Sequence, residues 1–337
     1  MILALSTVVA LAVGAGAGPA FEDIPKMDVH AHFFDDMPEF VEMLERIDMR
    51  VINICVYGTQ PELLVPAEMR AEMLYQKYKP HMFFCSTFDL TRRDQPDYAQ
   101  NVIAWLDKTF AAGAVSVKIW KDVGMEIKSP DGKYIMPDND MFDPIYDHIA
   151  KAGKPLTAHL ADPLEAWQPL KEGSQHYKYY SQNPQWYVYG REGFPSHEQI
   201  MAARDNVLAK HPDLILIGCH LASLDHDLEA LAQRLDKYPN LYVDVSARTG
   251  CLRAYYTPEK VRDFFVKYQD RILYGTDSDK FSGPEQPPAE DRAAFTESME
   301  KTYRADFDYY TRQVGLPEEV LEKFYHGNAE RLMPALK

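Results

Sequence analysis

Short runs of apolar, largely β-branched residues recur along the chain. They lie at Met27–His32, Val51–Tyr57, Met82–Phe88, Val115–Trp120, Leu156–Leu160, Leu214–His220, Leu241–Val245 and Ile272–Gly275. Runs this short and continuous suit strands buried on both faces, as in a parallel sheet. Between them the apolar spacing becomes helical. Phe40, Val41, Leu44 and Ile47 share one face, as do Val102, Ile103, Leu106 and Phe110, with Gly113 as a stop signal. Ser196 and Gln199 make a capping box ahead of Ile200, Ala203 and Val207. Leu228, Leu231 and Leu235 form another stripe. Thr257-Pro258-Glu259 reads as a cap, a first-turn proline and a helix-start acid before Val261, Phe264 and Phe265.

Strict alternation of strand and helix implies an α/β fold with a parallel sheet, and eight units predict a closed (β/α)8 TIM barrel. The longest gap follows strand five, where Pro163–Pro195 is an insertion holding Trp167, Tyr177, Tyr179, Tyr180, Trp186, Tyr187, Tyr189 and Phe194. It reads as a lid, a protomer contact or a packed loop. A Pro-rich insertion, Asp279–Glu290, follows strand eight. Both belong on the carboxyl-end face, where barrel enzymes keep their sites.

Composition narrows the class. The chain has 337 residues, 46% hydrophobic and 26% charged, with a formal charge of −15. These values are globular, and the acidity argues against nucleic acid as a partner. Residues 1–20 carry no charged side chain. An apolar run from Ile2 to Val13 followed by small residues resembles a secretory signal peptide, leaving one domain over 21–337. The expectation is export, periplasmic or secreted, if that leader is cleaved, and a cytoplasmic protein otherwise. No later apolar run is long enough to span a bilayer, so no stable membrane span is expected in the mature chain. Cys55, Cys85, Cys219 and Cys251 contain no C-x-x-C pair, and the first three read as packing thiols within strands.

Candidate chemistry gathers at the strand ends. Strand one ends Asp28-Val29-His30-Ala31-His32, and alternation puts both imidazoles on one face. Strand five ends at His159, strand six at His220 and strand eight at Asp277, while strand four carries Lys118. A ring of nitrogen and oxygen donors at one mouth suits zinc or a similar divalent ion. Asp244 lies on strand seven. Arg248 beyond it is read either as the partner of a substrate carboxylate or as a salt bridge, and Trp120 and Tyr57 as pocket lining. His176 is a weaker candidate for contact with the substrate. His81, His148, His211 and His226 are read as surface or capping residues.

In order and placement these motifs resemble the amidohydrolase superfamily, most closely the amidohydrolase-2 branch that includes the aminocarboxymuconate-semialdehyde decarboxylases. The match runs from about Met27 to Leu332 and takes in Tyr274-Gly275-Thr276-Asp277 and His326-Gly327-Asn328-Ala329. The resemblance implies metal ligands at His30, His32, His159 and Asp277. It implies proton handling or substrate polarisation by His220, which ligates a second metal in binuclear members. Lys118 holds the position of a carboxylated lysine in those members; an unmodified lysine, structural or pairing a substrate anion, is the preferred reading, since an ammonium is a poor ligand. One Zn2+, or two, is expected per chain. Asp277 would orient and deprotonate the metal-bound water, with His220 stabilising the oxyanion or protonating the leaving group. The expected reaction is hydrolysis of a small amide, ester or lactone; the alternative is decarboxylation of an aromatic or unsaturated acid. A homodimer is the expectation by analogy of fold.

Overall fold

The computed structural model describes residues 18–280 and 287–337. The eight expected strands are present: β1 (Lys26–Phe33), β2 (Met49–Ile54), β3 (Met82–Ser86), β4 (Ser116–Ile119), β5 (Leu156–Ala158), β6 (Leu216–Gly218), β7 (Leu241–Asp244) and β8 (Ile272–Leu273). A ninth, β9 (Ser278–Lys280), begins where the second insertion was expected to be loop. All pairings are parallel, and the order runs β8-β7-β6-β5-β4-β3-β2-β1-β9.

The two edges of that order belong to one stretch of chain. Along 272–280, β8 pairs with β7 while β9 pairs with β1. Between them Val29 N donates to Tyr274 O at 3.0 Å and Asp277 N to His30 O at 2.7 Å. The parallel sheet thus curls back on itself, as eight βα units lead one to expect.

β1 contains an irregularity that positions the site. Its register against β2 slips between Asp28 and Ala31. Before the slip, Met27 and Val29 join a core cluster with Ile52, Ile54, Phe83, Cys85, Ile217, Tyr242 and Leu273. After it, His30 and His32 face a cavity. A bulge re-aims side chains in this way. Asp28 pins it, accepting from His30 N, Thr276 N, Thr276 Oγ1 and Tyr303 OH at 2.6–3.2 Å.

The helical readings are realised. Gly113 ends its helix at φ +116°, Ser196 and Gln199 form the capping box, and Thr257 caps the helix Pro258–Lys267. The insertion 163–195 is more ordered than a plain loop, with short helices Leu164–Trp167, Tyr177–Gln182 and Pro184–Trp186. All four cysteines are free and buried. His211 caps the helix His197–Lys210 but is buried, its ring nitrogens facing Asp147 and Asp143 at 2.8 and 3.0 Å. No described helix is long and apolar enough to cross a membrane. The leader expected over residues 1–20 falls outside the described residues except for its last three.

Candidate metal centre

The carboxyl ends of the strands carry backbone that side chains rarely adopt. Ala161, His220, Leu221, Ala222, Ser223, Ala247 and Asp277 all have φ between +53° and +66°. Such strain persists only where surrounding contacts over-determine it. After β6, four consecutive left-handed residues begin at His220. Asp244 Oδ1 accepts from His220 N at 2.8 Å, and Ser223 Oγ donates to Leu160 O and Ala161 O. Gly218 lets this turn fold back, since a Cβ there would lie 2.6 Å from that of Ala222. Gly275 likewise lets β8 approach His30, whose Cβ would sit 3.0 Å from an added one.

His30, His32 and Asp277 each direct one donor atom to a common place, within 4.8 Å of one another. The hydrogen bonds assign the tautomers. His30 Nδ1 faces Asp244 Oδ2 at 3.0 Å and His32 Nδ1 faces Ile54 O at 2.8 Å. Both acceptors require N–H at Nδ1, which leaves lone pairs at Nε2. Both Nε2 atoms lie 3.3 Å from the same Asp277 oxygen. Two lone pairs facing one carboxylate oxygen repel unless a cation lies between them, so these residues fit a divalent metal.

The same bookkeeping runs through the other histidines. His220 Nδ1 donates to Ser246 O at 2.8 Å, so its Nε2 accepts from His159 Nδ1 at 3.2 Å. His159 Nε2 is then a buried lone pair without a partner, 3.6 Å from Asp162 Oδ1. His159 therefore sits beside His220 and outside the three-donor group, while His220 Nε2 is 3.9 Å from Asp277 Oδ2. Lys118 Nζ is buried 3.4 Å from His30 Nε2 and 3.2 Å from Cys219 Sγ.

Electrostatics agree with this arrangement. Burial, reinforced by neighbouring positive groups, drives His30 below its ordinary range and His159 and His220 well below it. Burial opposes ionisation of Asp277, yet its setting among His220, His30 and His32 holds it well below the usual carboxylate range. Asp28, by contrast, is pushed up to about 7 by burial.

A cavity of about 290 Å³ opens over this floor, with Tyr57, Lys118, Trp120, Lys121, His159 and Tyr179 among its lining. Tyr57 and Trp120 are thus where the sequence put them. Arg248 is turned away, its Nε 3.5 Å from Asp225 Oδ1. Sequence reasoning missed several residues. Lys121, just past β4, pairs with Asp162 at 2.7 Å and lies over the Trp186 ring at 3.8 Å. Burial lowers its amine, with Asp162 opposing. Ser246 bonds Asp244, His30 and His220 together. A signal existed for Ser246 and Asp162, polar residues one or two places beyond strand ends already flagged.

A family model described as Amidohydrolase matches residues 27–334. Comparison with curated protein sequences gives no match. Among solved structures, the chain is similar to a dihydroxybenzoic acid decarboxylase from Polaromonas sp. JS666 with bound manganese and the inhibitor 2-nitroresorcinol, at 14% identity and TM-score 0.56, covering 93% of this chain and 98% of that one. It is similar to the 2,6-dihydroxybenzoate decarboxylase from Rhizobium at 14% identity and TM-score 0.54, covering 91% and 99%. The 4-oxalomesaconate hydratase from Rhodopseudomonas palustris is also similar, at 14% identity and TM-score 0.52, covering 92% and 96%. At these identities the likeness is one of fold.

Proposed function

The chain belongs to the amidohydrolase family, and from that premise we propose that it is a (β/α)8-barrel, metal-dependent decarboxylase of a small aromatic or unsaturated carboxylic acid. The observation that carries this is the cavity itself. Aromatic rings of Tyr57, Trp120 and Tyr179 line it, and the amines of Lys118 and Lys121 reach it beside the His30–His32–Asp277 group. Flat apolar walls and amine donors suit a planar acid better than an extended amide. Two similar structures are decarboxylases, which moves the lead from hydrolysis, the reaction expected from sequence, to its alternative.

His30, His32 and Asp277 would hold the metal, and His159 would join them only on exchanging its hydrogen bond to His220 for the ion. Bound there, a divalent cation supplies a Lewis acid for a substrate oxygen. Lys118 and Lys121 position the carboxylate. In decarboxylation the carboxyl carbon leaves as carbon dioxide, its bonding electrons stay on the ring or vinyl carbon, and one proton takes its place. Asp277 and His220, 3.9 Å apart, are the pair that carries this proton from solvent. Hydrolysis remains the second reading because Asp277 stands ionised beside the two histidines, where it can orient a water.

The test is to load the purified chain with Mn2+ or Zn2+ and assay hydroxybenzoic acids beside esters, amides and lactones. The expected result is metal-dependent carbon dioxide release that chelation abolishes. Acid production from an ester, amide or lactone without carbon dioxide would return the assignment to hydrolysis. Comparing the two loadings also decides between the zinc expected from donor types and the manganese named in the Polaromonas structure. The leader proposal is checked by sequencing the amino terminus of protein recovered outside the cytoplasm.

A further inference from the structure

A second polar cluster lies where the aromatic insertion meets the ends of β6 and β7, and the reaction above does not use it. His176 comes from the insertion, Asp225 from the chain after β6, and Cys251 from the helix Thr249–Tyr255. Together they bring a nitrogen, an oxygen and a sulfur within 4.8 Å of one another. His176 Nε2 is 3.6 Å from Cys251 Sγ and 3.8 Å from Asp225 Oδ2.

Thiol and carboxylate face the same ring nitrogen. A nucleophilic Cys–His–Asp relay needs the carboxylate on the nitrogen opposite the thiol. Burial, with the charge of Asp225, also pushes the Cys251 thiol up to about 12. The relay reading therefore fails. Convergence on one point is instead the geometry of ligands around an ion. Bonds of about 2.0–2.1 Å to nitrogen or oxygen and about 2.3 Å to sulfur separate tetrahedral zinc ligands by roughly 3.3–3.6 Å. The two spacings from His176 need to close by only a few tenths of an ångström.

The carboxylate is presented to the cluster by its other partner. Asp225 is 1% exposed, its Oδ1 faces Arg248 Nε at 3.5 Å, and its Oδ2 is turned to His176. A cavity of about 380 Å³ adjoins the cluster, lined by Glu165, His176, Asp225, His226 and Tyr256 among others.

We propose that His176, Asp225 and Cys251 form a second metal site that takes zinc or another thiophilic divalent cation, with its remaining position open to this cavity. The sulfur–nitrogen–oxygen donor set is softer than the group at the strand ends. On binding, the Cys251 thiol proton leaves to solvent, and thiolate plus carboxylate balance the two positive charges. The site fastens the insertion to the barrel. His176 directly precedes the helix Tyr177–Gln182, which carries the cavity-lining Tyr179.

The experiment loads the full chain with Co2+ and reads thiolate-to-cobalt charge transfer in the near ultraviolet, together with metal per chain. The wild-type protein should show the band. Cys251→Ser and His176→Ala should each lose it with one metal equivalent, while Cys219→Ser, altered beside His30, should keep it. Absence of the band from wild type, or its survival in Cys251→Ser at full metal content, overturns the proposal. Limited proteolysis gives a readout that needs no variant: chelation should speed cleavage within 163–195, and equal rates with and without metal count against the site.

Discussion

At the floor of the reaction cavity His30 is fixed from three sides, by Asp244, Ser246 and Lys118. Behind the wall, Trp186 backs two lining residues, by an edge contact with Trp120 at 5.3 Å and by the Lys121 amine over its ring. The backbones differ in the same sense. Left-handed residues around the floor are Ala161, His220–Ser223, Ala247 and Asp277, none of them glycine. Those in the insertion are Gly173, Gly190 and Gly193, where an added Cβ would meet nothing within 4 Å. The floor stores strain that its hydrogen bonds maintain, and the wall stores none. Under the proposed function the difference suits two tasks, a floor that would fix charge and protons and a wall that would select what lies above them.

The largest effect should come from the floor. Asp277→Asn is expected to lower kcat by about 10³-fold or more, with loss of floor metal and an unchanged circular dichroism spectrum. Activity within tenfold of wild type would break the comparison at once. Asp244→Asn tests the support beneath it. Losing the acceptor for His30 N–H should cost about 10- to 100-fold in metal affinity or activity, read by competition with a chelator. The wall should respond more weakly and differently. Trp186→Ala should raise KM by about 2- to 10-fold with kcat nearly constant, and a fall in kcat instead would mean that the wall also aligns the reaction.

The smallest expected effect uses a buried carboxyl outside the ligand group. Burial pushes Glu68 up to about 7, although Ser86 Oγ and Thr87 N donate to it. The native chain therefore keeps a proton that the unfolded chain releases from about pH 4.5 upward. The stability linked to that proton is full at lower pH and is lost as pH rises through about 7. Glu68→Gln should flatten the fall in Tm between pH 5 and 8 equally with and without metal. A metal-dependent change would tie Glu68 to the floor.

Strand order and helix faces were legible because burial imposes a period that one chain carries by itself. The convergence of His30, His32 and Asp277 was legible for the same reason, these being polar residues where a strand run stops. The bulge in β1 was not: alternation alone would put Met27 and Val29 opposite His30, and the slip exists only against β2. Asp244 was noticed but given no role, since its value comes from His30, a partner remote in sequence. Arg248 fits either reading until Asp225 is seen beside it. Trp186 was obscure because the insertion has no period, only composition, and Lys121 because its partners Asp162 and Trp186 are remote in sequence. Hydrolysis against decarboxylation was unreadable for a chemical reason, as both use the same ligands.

The run 272–280 joins the first strand to the last, and Asp28 and Thr276, 248 residues apart, meet across it. His30 and His32 stand on one side of this seam and Asp277 on the other. No fragment of the chain holds the ligand group, and a folding chain gains it only when its most distant parts meet, after the entropy of a very long loop has been overcome. A cation bound there would act as a clasp between the two ends of the sheet. Its removal should be felt first in amide exchange along β1 and β9, well before the helices between them loosen.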